Sequence, residues 1–270
     1  MTSDQLDEYL DQVAALSGVD MVFFEGGEPF TEYDLLLAGI QGALKRGLRW
    51  GVVSNGDWAR QEQTARQVLR ELKEHHIASL TLSTDSYHSR PFPSEAIRNA
   101  VTGAREMGIP TTVLATQGPG SCTKAPDEGL GDLAWSQVMY RGRAAHALAA
   151  SSESTQKGQE YTACGHEQLD TPSRVHLDAF GYVHLCQGLA LGRLGSGENL
   201  ADLIANYQPK FHPIAGPLLA GGPRALALAY APDTLEQEFC DSCHMCYSLR
   251  LRLRHRFPHL LGPPHVYGLS

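Results

Sequence analysis

The sequence predicts an α/β fold of parallel strand–helix units, followed by a smaller cysteine-rich part of α+β character. Three observations carry this. Short apolar runs alternate with stretches of helical periodicity through the first half of the chain. The alternation weakens after Ala115. Five of the six cysteines fall between Cys164 and Cys246. A length of 270 residues suits one barrel-sized domain, or a core domain with an appendage.

Taken in order, Leu6, Leu10, Val13, Ala14 and Leu16 recur at helical spacing, with Ser3 or Asp4 as the expected cap. Met21-Val22-Phe23-Phe24 reads as a buried strand. Leu35 to Leu44 is helical and stops at Gly47. Trp50-Gly51-Val52-Val53 is a second strand. Asp57 to His76 reads as one long amphipathic helix, with His75-His76 at its end, where an imidazolium suits the dipole. Leu80-Thr81-Leu82 is a third strand, Ser94 to Met107 a helix, and Thr111 to Leu114 a fourth strand. Parallel strands joined by helices cross over right-handed. Val138-Met139-Tyr140 predicts one more strand. The polar run Ser151-Ser152-Glu153-Ser154-Thr155 reads as a linker and divides the chain into 1–150 and 151–270. Val175 to Cys186, turning at Gly181, reads as a β-hairpin.

Composition excludes several classes. With 42% hydrophobic and 19% charged residues, the chain is neither disordered nor collagen-like. A formal net charge of −8 disfavours phosphate-driven nucleic-acid binding. The N-terminus is acidic and polar, unlike a signal peptide, and no apolar run approaches the ~18 residues of a membrane span. The expected compartment is the cytoplasm, with no membrane partner; clustered cysteines there more often hold metal than form disulfides.

Three strand ends are polar. The first is Glu25-Gly26-Gly27-Glu28-Pro29, where paired glycines admit a ligand to the backbone and a carboxylate can hold a cationic amine. The second is Ser54-Asn55-Gly56-Asp57 and the third Ser83-Thr84-Asp85. In parallel sheets, ligands bind beyond the carboxyl ends of strands. The alternative is that these residues merely shape turns and caps. Farther on, Cys240-x-x-Cys243-x-x-Cys246, with Cys164 and Cys186 upstream, supplies five thiols for a site that needs four. The spacing is closer to iron–sulfur runs than to zinc ribbons. Zinc is the alternative, because His166, His184 and His244 are near in sequence. Cys122 stands alone in a loop. Leu249 to Arg256 reads as a helix end with a solvated basic face, a partner or nucleic-acid contact being the minority reading. Gly221-Gly222-Pro223 reads as a turn, since no lysine makes it a phosphate loop.

Together these residues resemble the radical S-adenosylmethionine (radical SAM) superfamily. Gly26-Gly27-Glu28-Pro29 is similar to that family's Gly-Gly-Glu-Pro motif, which contacts the methionine amino group. Ser54-Asn55-Gly56 resembles its next strand end, and Ser83 and Asp85 its positions near the ribose and methionine carboxylate. Arg141-Gly142-Arg143-Ala144 resembles the segment preceding many C-terminal extensions. Cys164 through Gly181 to Cys186, then Cys240-x-x-Cys243, is similar to SPASM or twitch extensions that hold an auxiliary 4Fe–4S cluster. The resemblance implies a partial (β/α) barrel that lacks its first strand, because the family's Cys-x-x-x-Cys-x-x-Cys loop is missing and the sequence opens at the helix that should follow it. Truncation, with Met1 an internal start, is the expectation over a degenerate member. The implied activity is generation of a 5′-deoxyadenosyl radical to modify a peptide or small molecule, with S-adenosylmethionine bound once the missing loop is supplied and a ferredoxin or flavodoxin as electron donor. This chain lacks the cysteines of the catalytic cluster. The alternative is a non-catalytic protein binding iron–sulfur or zinc on a partial barrel.

Overall fold

In the computed structural model, residues 1–84, 94–117, 130, 133–152, 154–195 and 197–269 are described. The chain divides into two compact units, Thr2–Gln137 and Val138–Ser270. The polar run 151–155, at which the sequence reading divides the chain, lies inside the second unit.

The first unit runs α1 (Ser3–Ala14), β1 (Met21–Phe24), α2 (Tyr33–Lys45), β2 (Arg49–Ser54), α3 (Glu62–Glu74), β3 (Ser79–Ser83), α4 (Glu95–Glu106), β4 (Thr111–Gln117) and β5 (Leu133–Gln137). The strands form one parallel sheet in the order β1-β2-β3-β4-β5. A single core joins Leu10 of α1, Ile40 of α2, Leu69 of α3 and Ala100 of α4 to Trp50, Val52, Leu80, Leu82 and Val113 of the strands. Strand side chains alternate between faces, so these helices cover one face of the sheet. The opposite face carries Phe23, 47% exposed, and Leu114, 40% exposed.

Local chemistry moves several expected boundaries. The cap of α1 is Thr2, whose Oγ1 accepts from Gln5 N at 3.2 Å, rather than Ser3 or Asp4. The helix expected over 57–76 is two elements, a 3-10 turn at Asp57–Ala59 and then α3. Asn55 Oδ1 takes the Asp57 N–H at 2.9 Å and Gly56 O takes that of Ala59 at 2.9 Å, so short-range bonds close a tight turn first. The extra strand is Leu133–Gln137, just before Val138-Met139-Tyr140. Pairing with β4 places it there, whereas Tyr140 N–H donates to the Asp241 carboxylate at 3.2 Å.

The second unit contains α5 (Arg143–Ala147), β6 (Gln156–Lys157), β7 (His176–Leu177), β8 (Tyr182–Cys186), β9 (Leu189–Arg193), α6 (Leu200–Ala205), α7 (Ala215–Tyr230), β10 (Glu238–Phe239) and α8 (Ser242–Leu253). The hairpin expected up to Cys186 is β7–β8, and β9 extends it into a three-stranded antiparallel sheet. Leu189-Ala190-Leu191-Gly192-Arg193 lacks clean alternation, which hides β9 in the sequence. The core packs Leu185 and Leu189 of the sheet with Leu218 and Leu226 of α7 and Met245 and Leu249 of α8. No described helix is long and apolar enough to cross a membrane.

No side chain of its N-cap residue Ile214 caps α7. His212 does so instead: its Nδ1 accepts from Ile214 N at 3.1 Å and Ala215 N at 3.0 Å. Burial lowers the His212 pKa below its ordinary 6.5, and the Ala190 carbonyl only partly offsets this. The unfolded chain therefore binds more protons just below 6.5, so stability is present above 6.5 and lost as pH falls beneath it. Wild type is expected to lose about 1–2 kcal/mol on acidification through that range, the scale of two hydrogen bonds to a neutral acceptor. His212→Asn keeps an acceptor in place and should not show this loss in urea unfolding; an identical pH profile for the two proteins would exclude His212 as its source.

Candidate metal centre and strand-end site

At the carboxyl edge of the parallel sheet, three neighbouring strand ends are knit together. Gly26 and Gly27 follow β1 at φ +87° and +59°, a region that side chains with a Cβ rarely enter, and open space surrounds both. Glu28 then opens the 3-10 turn at Pro29–Glu32. Its Oε1 accepts from Phe30 N at 3.2 Å and Ser54 Oγ at 2.8 Å, and its Oε2 from Asn55 N at 2.7 Å. Ser54 Oγ, buried, also accepts from Gly56 N at 3.0 Å and Trp58 Nε1 at 2.9 Å. Ser83 Oγ donates to Ser54 O at 3.4 Å. The observed work of the Glu28 carboxylate is thus to join the first two strand ends. Thr84, only 1% exposed, presents a hydroxyl with no hydrogen-bond partner at the third. Asp85 and Cys122 lie outside the described residues.

The thiols belong to the second unit. Cys186 ends β8 at a two-residue turn, Gln187-Gly188, that leads into β9. Cys243 and Cys246 stand three residues apart on α8, so they share a helix face. Asp241 Oδ1 caps that helix, accepting from His244 N at 2.6 Å. Cys164 lies in the loop after Tyr161, where the backbone N–H groups of His166 and Glu167 reach its sulfur. These four sulfurs share one electrostatic neighbourhood. Cys186 acts on Cys164, Cys243 and Cys246, and Cys246 also feels Cys164. Burial pushes the Cys243 thiol up to about 12, with Asp241 adding to it, and the Cys246 thiol up to about 11. Burial and Cys186 also push the Cys164 thiol up.

Cys240 has different neighbours. Its Sγ donates to Ala149 O at 3.5 Å and its N–H to His244 Nδ1 at 3.2 Å.

Two arginines that sequence reasoning did not place at the site attend the four thiols. Arg141 Nη1 donates to Cys186 Sγ at 3.0 Å and to Glu167 Oε1 at 2.9 Å. Arg250 is 1% exposed, which corrects the expected solvated basic face. It follows Cys246 by four residues and Cys243 by seven, so it lies on their face of α8; that spacing was the available signal. Arg252, on another face, is exposed, as is Arg256, and it pairs with Asp233 at 2.9 Å.

The loop carrying Cys164 rests on a break in α7. Gly221 and Gly222 leave helical geometry, Gly222 at φ +63°, and Pro223 follows. The sequence-predicted turn is therefore a kink inside a helix. It frees Arg224 N–H to donate to Tyr161 O at 2.9 Å. Tyr161 OH donates in turn to Phe239 O at 2.5 Å.

Among the described residues, no group of three or more His, Cys, Asp or Glu side chains forms a cage that could hold a metal ion. The donor chemistry nonetheless suits a thiophilic metal. Four thiols from three segments are coupled electrostatically through Cys186, N–H groups reach the Cys164 sulfur, and buried Arg250 keeps an unpartnered Nε.

No protein-family model matches the chain. Over 106 residues, 39% of this chain, it is 23% identical to YydG of Bacillus subtilis (strain 168), a protein whose name assigns it to peptide biosynthesis. The match covers 33% of YydG, so this chain spans about a third of the length of the curated relative it matches.

Proposed function

We propose that this chain is a radical SAM-type protein that acts in peptide modification, its second unit being a SPASM/twitch-like extension that holds an auxiliary 4Fe–4S cluster. The observation that carries the reading is the electrostatic coupling of Cys186 to Cys164, Cys243 and Cys246, with part-buried Arg141 donating to Cys186 Sγ at 3.0 Å and buried Arg250 on the helix of Cys243 and Cys246. A four-thiolate cluster is anionic overall, and its bonds to sulfur are strengthened by N–H donors and buried cations. When bound, the cluster supplies a site that accepts and passes single electrons. The chain's own residues hold the sulfurs, orient them and neutralise their charge.

In this reading the first unit is a partial (β/α) barrel. Its sequential parallel order and one-sided helices support that, since doubly wound sheets carry helices on both faces. Gly26, Gly27, Glu28 and Pro29, with Ser54, Asn55 and Ser83, form the edge that receives the methionine end of S-adenosylmethionine. The likeness to YydG supports a peptide as the substrate.

Anaerobic reconstitution of the whole chain with ferrous iron and sulfide tests the cluster. Expected are about four iron and four sulfide per chain, with thiolate-to-iron absorption that bleaches on reduction. Zinc bound at about one per chain, with no iron uptake, would overturn the reading.

A further inference from the structure

We infer that Arg250 is a positioning residue of the thiol site: it ties the Cys186 hairpin to the helix bearing Cys243 and Cys246, and its charge balances the thiolates when they hold metal. The inference rests on the metal reading above.

The tie is geometric. Arg250 Nη1 donates to Gln187 O at 2.8 Å, in the residue after Cys186, and lies 3.5 Å from Tyr267 Oη. Tyr267 Oη donates to Gly188 O at 2.8 Å, so the two side chains grip both residues of the β8–β9 turn. Arg250 is itself part of α8, four residues after Cys246 and seven after Cys243. One guanidinium therefore fixes the distance between two of the three segments that supply thiols.

The charge follows from burial. A guanidinium taken out of water needs a counter-charge. Part-buried Arg141 has Glu167 at 2.9 Å. Arg250 forms no ion pair with a described carboxylate, and its Nε is buried with no partner. Tyr267, Cys246, Cys186 and Cys243 act on it electrostatically, and it acts in turn on Cys164 and Tyr247. Tyr267 spends its proton on Gly188 O and stays neutral. Among the described neighbours the cysteines are the remaining source of negative charge, once metal binding has taken their protons.

A cation beside a cluster favours its more reduced, more negative state. The full chain, Arg250→Gln and Arg250→Lys are compared after reconstitution with iron and sulfide, by iron content and reduction midpoint. Cobalt(II) alone serves as a second probe through its thiolate charge-transfer band, and melting of the metal-free proteins checks folding. Arg250→Gln is expected to bind cobalt(II) about tenfold more weakly. Its midpoint should move to more negative potential by about 59 mV, a tenfold shift of a one-electron equilibrium. Arg250→Lys should keep most of the midpoint while losing cobalt affinity, because it retains the charge without the fork. Wild-type loading, midpoint and affinity in Arg250→Gln would overturn the role of Arg250 and leave the metal reading standing. If Arg250→Gln does not fold, Arg250→Lys decides: weaker cobalt binding supports the tie, and unchanged affinity overturns it. A wild-type chain that takes up neither iron nor cobalt overturns both.

Discussion

After reconstitution with iron and sulfide, alanine at Cys164, Cys186, Cys243 or Cys246 is expected to leave metal retained at least about tenfold less well than in wild type, if the proposed cluster forms. Cys240→Ala should reconstitute like wild type. The reason is the division of the five thiols. Cys164, Cys243 and Cys246 are each coupled electrostatically to Cys186, whereas Cys240 donates to Ala149 O and sits beside the His244 ring nitrogen. Removing one thiolate from a four-thiolate set leaves a corner open to water and oxygen, so the loss should show as lower iron content and faster bleaching in air. Cys→Ser variants at the same positions separate loss of a ligand from loss of core volume at the buried Cys246. If Cys240→Ala loses iron as fully as the others, the proposed ligand set is wrong.

Gly222→Ala should be strongly destabilising to the second unit. A Cβ at Gly222 would stand 2.3 Å from Ala163 N and 2.5 Å from Thr162 C, both backbone atoms that no rotamer change can move. The position also holds φ +63°, which strains any residue with a Cβ. Overpacking and backbone strain together are worth about 3 kcal/mol or more. The chain's cheapest relief is to shift the 161–164 loop, which carries Cys164. The variant should therefore melt at lower temperature and, where still folded, lose metal affinity. Gly221→Ala is the contrast: its φ of −177° is ordinary extended backbone, and the nearest atom to an added Cβ is Ala225 Cβ at 3.2 Å. Equal melting of the Gly222 and Gly221 variants would remove the kink from any role in holding the loop.

Much of the first unit was legible because its signals are local. Met21–Phe24 and the strands around Trp50, Leu80 and Thr111 are short apolar runs bounded by turn residues, and each became a strand. The helix ends near Gly47 and Ser94 followed from single residues whose chemistry suits a terminus: Ser94 Oγ accepts from Ile97 N at 3.3 Å. What failed there depended on competition between neighbours, as where the Asn55 side chain captured an N–H that a longer helix would have used. The strand at Leu133–Gln137 was displaced from the expected one because pairing with β4, not apolar content, decides where a strand forms.

For the site, sequence supplied the candidates and the fold sorted them. The Gly-Gly-Glu-Pro turn, the polar strand ends and the late cysteines are readable from residue type and spacing alone, since each is defined within a few residues. Spacing could not separate Cys240 from Cys243 and Cys246, because a repeat of two intervening residues treats all three alike. Only the start of α8, capped by Asp241, puts the latter two on a helix face and leaves Cys240 before it. Nor could spacing show that Arg250 is buried: the alternating Leu-Arg run looks solvated until helix α8 turns one of its arginines inward against the Cys186 hairpin. By itself the sequence determined the elements and the chemical groups on offer, because these follow from short-range periodicity. The tertiary structure decided which groups share a neighbourhood and which charge lies inside it, because those depend on contacts between segments tens of residues apart.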